Sequence, residues 1–131
     1  MRIRNCFLIS FFLCWLSLAG CSVNSSSALT SQNNGISATL SLEPSSPVAM
    51  ENTTFTVKLM KDNQPVKGAE IILNLTMPGM KMPQNRFNAL ENEPGSYSST
   101  TLLSMAGDWH LQANVAQNKE DYIFDFDFKA R

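Results

Sequence analysis

From Ile36 to Phe128 the hydrophobic period is two almost everywhere, and helical spacing never takes hold. A period of two puts successive side chains on opposite faces of an extended strand, so one face is buried while the other stays wet. The chain is thereby committed to sheet. Ile36, Ala38, Leu40 and Leu42 define a first strand, Phe55, Val57 and Leu59 a second, and Ala69, Ile71, Leu73, Leu75 and Met77 a third. A short fourth strand, Arg86 to Glu91, alternates only weakly. Tyr97, Thr101 and Leu103 mark a fifth, Trp109, Leu111, Ala113 and Val115 a sixth, and Tyr122, Phe124, Phe126 and Phe128 a seventh. Turn residues fall between them, as in Asp62-Asn63 with Pro65. Pro94-Gly95 suits a type II turn, because proline sets the first central angle and glycine accepts the positive one. Seven antiparallel strands in about 95 residues predict an all-β, immunoglobulin-like β-sandwich over residues 36–131, with one small core.

The residues ahead of that domain carry a different message. Arg2 and Arg4 precede an apolar run from Cys6 to Ala19, too short for the ~20 apolar residues that span a bilayer, so residues 1–20 read as an export signal. Leu18-Ala19-Gly20-Cys21 resembles the bacterial lipobox, which implies that Cys21 is acylated and becomes the first residue of the mature chain. The alternative is an ordinary cleaved signal with a chance cysteine. Ser22, in place of an aspartate, is similar to the sorting signal for the outer membrane, so the resemblance implies a lipid anchor facing the periplasm. More than one acyl chain makes such an anchor stable. Residues 21–35 are rich in Ser and Asn and poor in apolar side chains, which predicts a flexible tether.

Removing the signal also simplifies the chemistry. Cys6 and Cys14 leave with it and Cys21 is consumed by lipid, so the mature domain has no disulfide and no thiol ligand. Losing Arg2 and Arg4 leaves eight basic against eleven acidic side chains, a formal charge of −3. Nothing in that balance suggests nucleic acid as a partner. Three Asn-x-Ser/Thr triplets, at Asn24, Asn52 and Asn74, are coincidental in a bacterial lipoprotein.

The stretch TMPGMKMPQ, Thr76 to Gln84, sets three methionines around a Pro78-Gly79 turn. Methionine ordinarily fills gaps in cores or serves where a soft sulfur ligand is needed. Strand reversal places alternate connections at one end of any antiparallel fold. The first connection holds Met50, the third Met77, Met80 and Met82, and the fifth Met105, so five of the six mature methionines are expected at one end and Met60 is the exception. His110, the only histidine, begins the sixth strand within roughly 10 Å of those loops. Its parity is outward, whereas Met77 shares the inward parity of Leu75, so those two do not meet without a bulge. Neutral thioethers suit cuprous ion, and imidazole can complete the set, so Met77, Met80, Met82, Met105, His110 and Met50 form a candidate Cu(I) site. Zinc is disfavoured by one histidine and no cysteine. A plainer reading has Met77 and Met105 plugging the core, Met50 packing under its loop and Trp109 in the interior. Asp125 and Asp127, alternating with phenylalanines, read as the solvated face of the last strand.

Four segments taken in order carry a family resemblance: Asp62-Asn63-Gln64-Pro65-Val66-Lys67-Gly68-Ala69, Met77-Pro78-Gly79-Met80, Gly95-Ser96-Tyr97 and Met105-Ala106-Gly107-Asp108-Trp109. Together they resemble the YtkA-like family, which is similar to the exported part of FixH proteins. The resemblance implies a sandwich of this class outside the cytoplasm. For FixH-type members it implies an accessory role near copper transport and oxidase assembly. The anchor departs from that pattern, since FixH proteins carry a membrane helix. Three classes of function follow: a Cu(I)-binding or handover accessory, a metal-free module whose methionine tip docks onto another envelope protein, and an enzyme. The last lacks visible equipment, with one histidine, no mature cysteine, no nucleophile elbow and no phosphate loop.

Overall fold

The computed structural model describes residues 28–83 and 85–131. The expected signal over residues 1–20, the lipidation at Cys21 and the tether as far as residue 27 lie outside the described residues. Nine strands follow: β1 (Leu29–Asn33), β2 (Ile36–Glu43), β3 (Asn52–Lys61), β4 (Gln64–Pro65), β5 (Glu70–Thr76), β6 (Asn85–Glu93), β7 (Ser96–Leu102), β8 (Gly107–Gln117) and β9 (Glu120–Ala130). No helix occurs among the described residues.

Every pairing is antiparallel, in the order β1-β2-β3-β7-β6-β5-β8-β9, with β4 added beside the end of β3. One strand joins the two layers. The first half of β6, Asn85 to Ala89, pairs with β5, whereas Leu90 to Glu93 pair with β7 across a register shift between Glu91 and Glu93. The sheet thus curls almost into a barrel, and its outer strands approach each other where the Asn33 side-chain amide donates to the Ile123 carbonyl at 3.2 Å.

The alternation fixes which side chains fill that interior. Ile36, Ala38 and Leu40, then Phe55, Val57 and Leu59, then Ile71, Leu73 and Leu75 are buried, facing Trp109, Leu111, Ala113 and Val115 and Tyr122, Phe124 and Phe126. Leu42, Ala69 and Phe128, expected on the same faces, are only partly covered. Phe55 anchors the methionine-bearing end of the core, with its ring centroid 6.0 Å from that of Phe87 and 5.8 Å, edge-on, from that of Phe128. Burying each such side chain contributes about 1.5–3 kcal/mol, which makes the alternating positions the main stabilising term.

Two expectations are corrected. The described residues form nine strands, not seven, and the domain starts at Leu29 rather than Ile36, because Leu29–Asn33 form β1 instead of continuing the tether. An edge strand needs only backbone partners and one modest apolar contact. β1 has both, through five register pairs with β2 and through Leu29 against the core. Asn34 and Gly35, at φ of 46° and 80°, make the two-residue turn that sends the chain back, as an Asn-Gly pair favours.

Candidate functional site

The three connections that carry the methionines leave the same end of the sheet. Residues 44–51 follow β2, residues 77–84 follow β5 and residues 103–106 follow β7, while β9 ends beside them. Backbone bonds tie this end together. Met50 N–H donates to Leu103 O at 2.8 Å, Ala49 N–H to Arg131 O at 2.7 Å and Arg131 N–H to Pro47 O at 2.9 Å. Pro78 and Gly79 form a tight turn closed by Met80 N–H donating to Met77 O at 3.1 Å, with Gly79 at φ 80° where a side chain is strained.

The thioethers divide by exposure. Met50 is 67% exposed, Met80 51% and Met105 38%, so three loops each present a sulfur-bearing side chain to solvent. Met82 is half-buried against the core, and Met77 is 8% exposed. Met77 packs against the start of β8, because a Cβ placed on Gly107 falls 2.8 Å from Met77 Cε. The Met105 carbonyl accepts the indole N–H of buried Trp109 at 3.0 Å, which holds the 103–106 loop against the core. Met60 lies on β3 near the opposite end, across from Pro65.

His110 stands apart from the interior methionine, as its parity requires. It lies opposite Thr76 on one side and Asp127 on the other, on the outer face of β8. Its Nδ1 is 2.7 Å from Asp127 Oδ1 and its Nε2 is 3.1 Å from Asp125 Oδ1, to which Gln112 also donates at 3.1 Å. The Asp127 bond above all, and then Asp125, raise the imidazole above its ordinary pKa against an opposing effect of burial. Both ring nitrogens are therefore engaged, and copper ligation by His110 requires freeing one of them from its carboxylate. Asp125 and Asp127 are exposed as expected, but they also clamp the imidazole. The signal that locates them is the two-residue turn Asn118-Lys119, both at positive φ, which fixes the β8–β9 register and so pairs 110 with 127.

The far end is braced by polar groups. The Tyr97 hydroxyl, buried beneath the 66–69 loop, donates to Val66 O at 2.7 Å and accepts from Ala69 N–H at 3.0 Å. Burial pushes this phenol up. The Glu91 carboxylate accepts from Gly95 N–H at 3.0 Å and Gly68 N–H at 2.9 Å, and these bonds hold its pKa below the usual value. Gly95, at φ 74°, has no room for a Cβ, which would meet Pro65 Cβ at 2.6 Å.

These observations define a class: an antiparallel all-β domain with a hydrogen-bonded brace at one end and loops bearing exposed thioethers at the other. The chain belongs to the YtkA-like family, whose model matches residues 30–114. The matched stretch takes in all three methionine loops and His110 and stops before Asp125 and Asp127. Among solved structures, the chain is similar to the soluble domain of PmoD from Methylocystis sp. strain Rockwell, with a TM-score of 0.52 and 10% identity over 79% of this chain and 97% of that one. At that identity the likeness is one of fold. No curated protein matches the chain.

Proposed function

We propose that this YtkA-like chain is a lipoprotein held by acylated Cys21 in the bacterial outer membrane, facing the periplasm. It takes up Cu(I) at its methionine-bearing end and hands it to an envelope partner in copper handling or oxidase assembly, without catalysing a reaction. The observation that carries the reading is the exposure of Met50, Met80 and Met105 on three loops at one end of the sheet. Neutral thioethers bind cuprous ion without ionising and release it readily, which suits transfer in an oxidising compartment. Met80 and Met82, on either side of Lys81 beyond the Pro78-Gly79 turn, are the principal donors. Met50 and Met105 supply further sulfur. Met77 and His110 fit less well as they stand, one packed inward against Gly107 and the other held by two carboxylates. The order β2-β3-β7-β6 followed by β5-β8-β9 supports the finer reading of the fold as an immunoglobulin-type sandwich.

The domain over residues 28–131 is expected to bind about one Cu(I) under reducing conditions, by the preference of thioether ligands for that ion. Met80→Leu with Met82→Leu should weaken binding by tenfold or more, as two donors are lost, and leave the fold intact because leucine conserves volume. Undiminished copper retention in the double variant, followed through methionine methyl resonances, would remove both from the ligand set.

The inward packing of Met77 and the carboxylate clamp on His110 favour a second reading, in which the tip is a metal-free docking surface. Flexible methionine side chains adapt to partner surfaces. On that reading Met80→Asp abolishes partner capture equally with and without copper.

A further inference from the structure

We propose that the methionine-bearing end of the domain faces the lipid bilayer that holds Cys21, with Met50, Met80 and Met105 at the membrane surface. The inference rests on the anchoring part of the function proposed above and is independent of copper.

Strand direction is the first argument. β1 runs from Leu29, opposite Leu40, to Asn33, opposite Ile36, so the chain comes in from the end where β2 finishes and the methionine loops begin. Length is the second. Seven residues lie between Cys21 and Leu29, eight steps with a reach of at most about 29 Å, and a coil of that length spans about 16 Å on average. Leu29 sits about 10 Å short of the methionine end, three register positions below Glu43, a gap within that average span. Turning the opposite end to the membrane requires the chain to double back alongside β1 for the four register steps from Leu29 to Asn33, about 13 Å, against the direction in which β1 enters.

Surface chemistry agrees with that orientation. Met50, Met80, Met105 and Leu102, which is 40% exposed, lie at the end of the sheet from which β1 enters. A lipid interface accommodates such flexible apolar side chains and gains by covering them.

Met60 supplies an internal reference, because it is 38% exposed, the same as Met105, but lies near the far end. The full-length chain, produced in a bacterial host, is reconstituted without copper into phosphatidylethanolamine–phosphatidylglycerol vesicles and treated with limiting peroxide, which converts accessible methionine to the sulfoxide. Peptide masses then report each site. Relative to Met60, oxidation of Met50, Met80 and Met105 should slow several-fold on vesicles compared with the Cys21→Ser chain in solution. Equal slowing at Met60, slowing at Met60 alone or no slowing at the tip overturns the proposal. The same slowing of Cys21→Ser in solution also overturns it, by revealing a second copy as the occupant. The mass of the amino-terminal peptide decides acylation separately. If Cys21 carries no lipid, the anchoring reading fails, and the leader-free chain coupled through the Cys21 thiol to a maleimide lipid on the same vesicles still tests orientation with the same outcomes.

Discussion

At the scale of single residues, His110 is the group whose chemistry changes most within the ordinary pH range. Asp127 and then Asp125 raise its pKa, so the folded state binds the imidazole proton more tightly than the unfolded chain, whose histidine titrates near 6.5. The stabilisation is therefore fully present below the unfolded value and is lost as pH rises through the higher folded value. Urea unfolding of the parent and of His110→Gln should differ most below the unfolded value near 6.5, with the gap closing as pH rises above it and the proton leaves. The partly exposed pair keeps that gap within about 1 kcal/mol. Asp127→Asn should lower the His110 midpoint seen by proton resonance, and an unchanged midpoint would exclude the carboxylate as its cause. The same competition bears on metal: any Cu(I) bound through His110 should bind more weakly as pH falls, whereas a site made only of thioethers is indifferent across this range.

Among the elements, the loop between β4 and β5 is held in part by one hydroxyl, beside the Glu91 carboxylate on Gly68 N–H and the Gln117 amide on Lys67 O. Tyr97→Phe leaves the Ala69 N–H and the Val66 carbonyl without their partner, which should cost about 1–3 kcal/mol in urea unfolding and speed exchange of the Ala69 amide. An unchanged Ala69 exchange rate would show that the brace holds without the phenol. This brace was not legible in the sequence, which assigns Tyr97 to a strand but gives its hydroxyl no partner. The strands with clean alternation, β8 and β9 above all, were legible because each buries one face against a single core. Weak alternation in β6 has a physical cause: the strand changes partners midway, so its second half, beyond Ala89, is largely exposed. β4 is two residues long and leaves no period to detect. The shared end of the methionine loops was also legible, since strand reversal alone dictates it. The clamp on His110 was not read, because alternation assigns a face to Asp125 and Asp127 but only register assigns them a partner.

For the molecule as a whole, the decisive correction is where the domain begins. A Ser- and Asn-rich segment has too little apolar surface to fold alone, and that is the sense in which residues 28–35 look like tether. Beside a finished sheet the requirement is smaller, because β2 already offers a row of backbone donors and acceptors. β1 takes them through its five register pairs, covers part of the core with Leu29 and reaches across to β9 with Asn33. Removing it uncovers both edges of a nearly closed sheet at once. A chain truncated to 36–131 should therefore be less stable than 28–131 by about 1–3 kcal/mol, the worth of a few net hydrogen bonds and part of a leucine after the ordering cost of a short strand. It should also self-associate, since the freed eight-residue edge of β2 is a template for pairing. Urea midpoints and sedimentation velocity of the two chains measure both effects. Equal stability with a monomeric truncated chain would mean that the sheet closes without β1, and that Leu29–Asn33 merely rest on its edge.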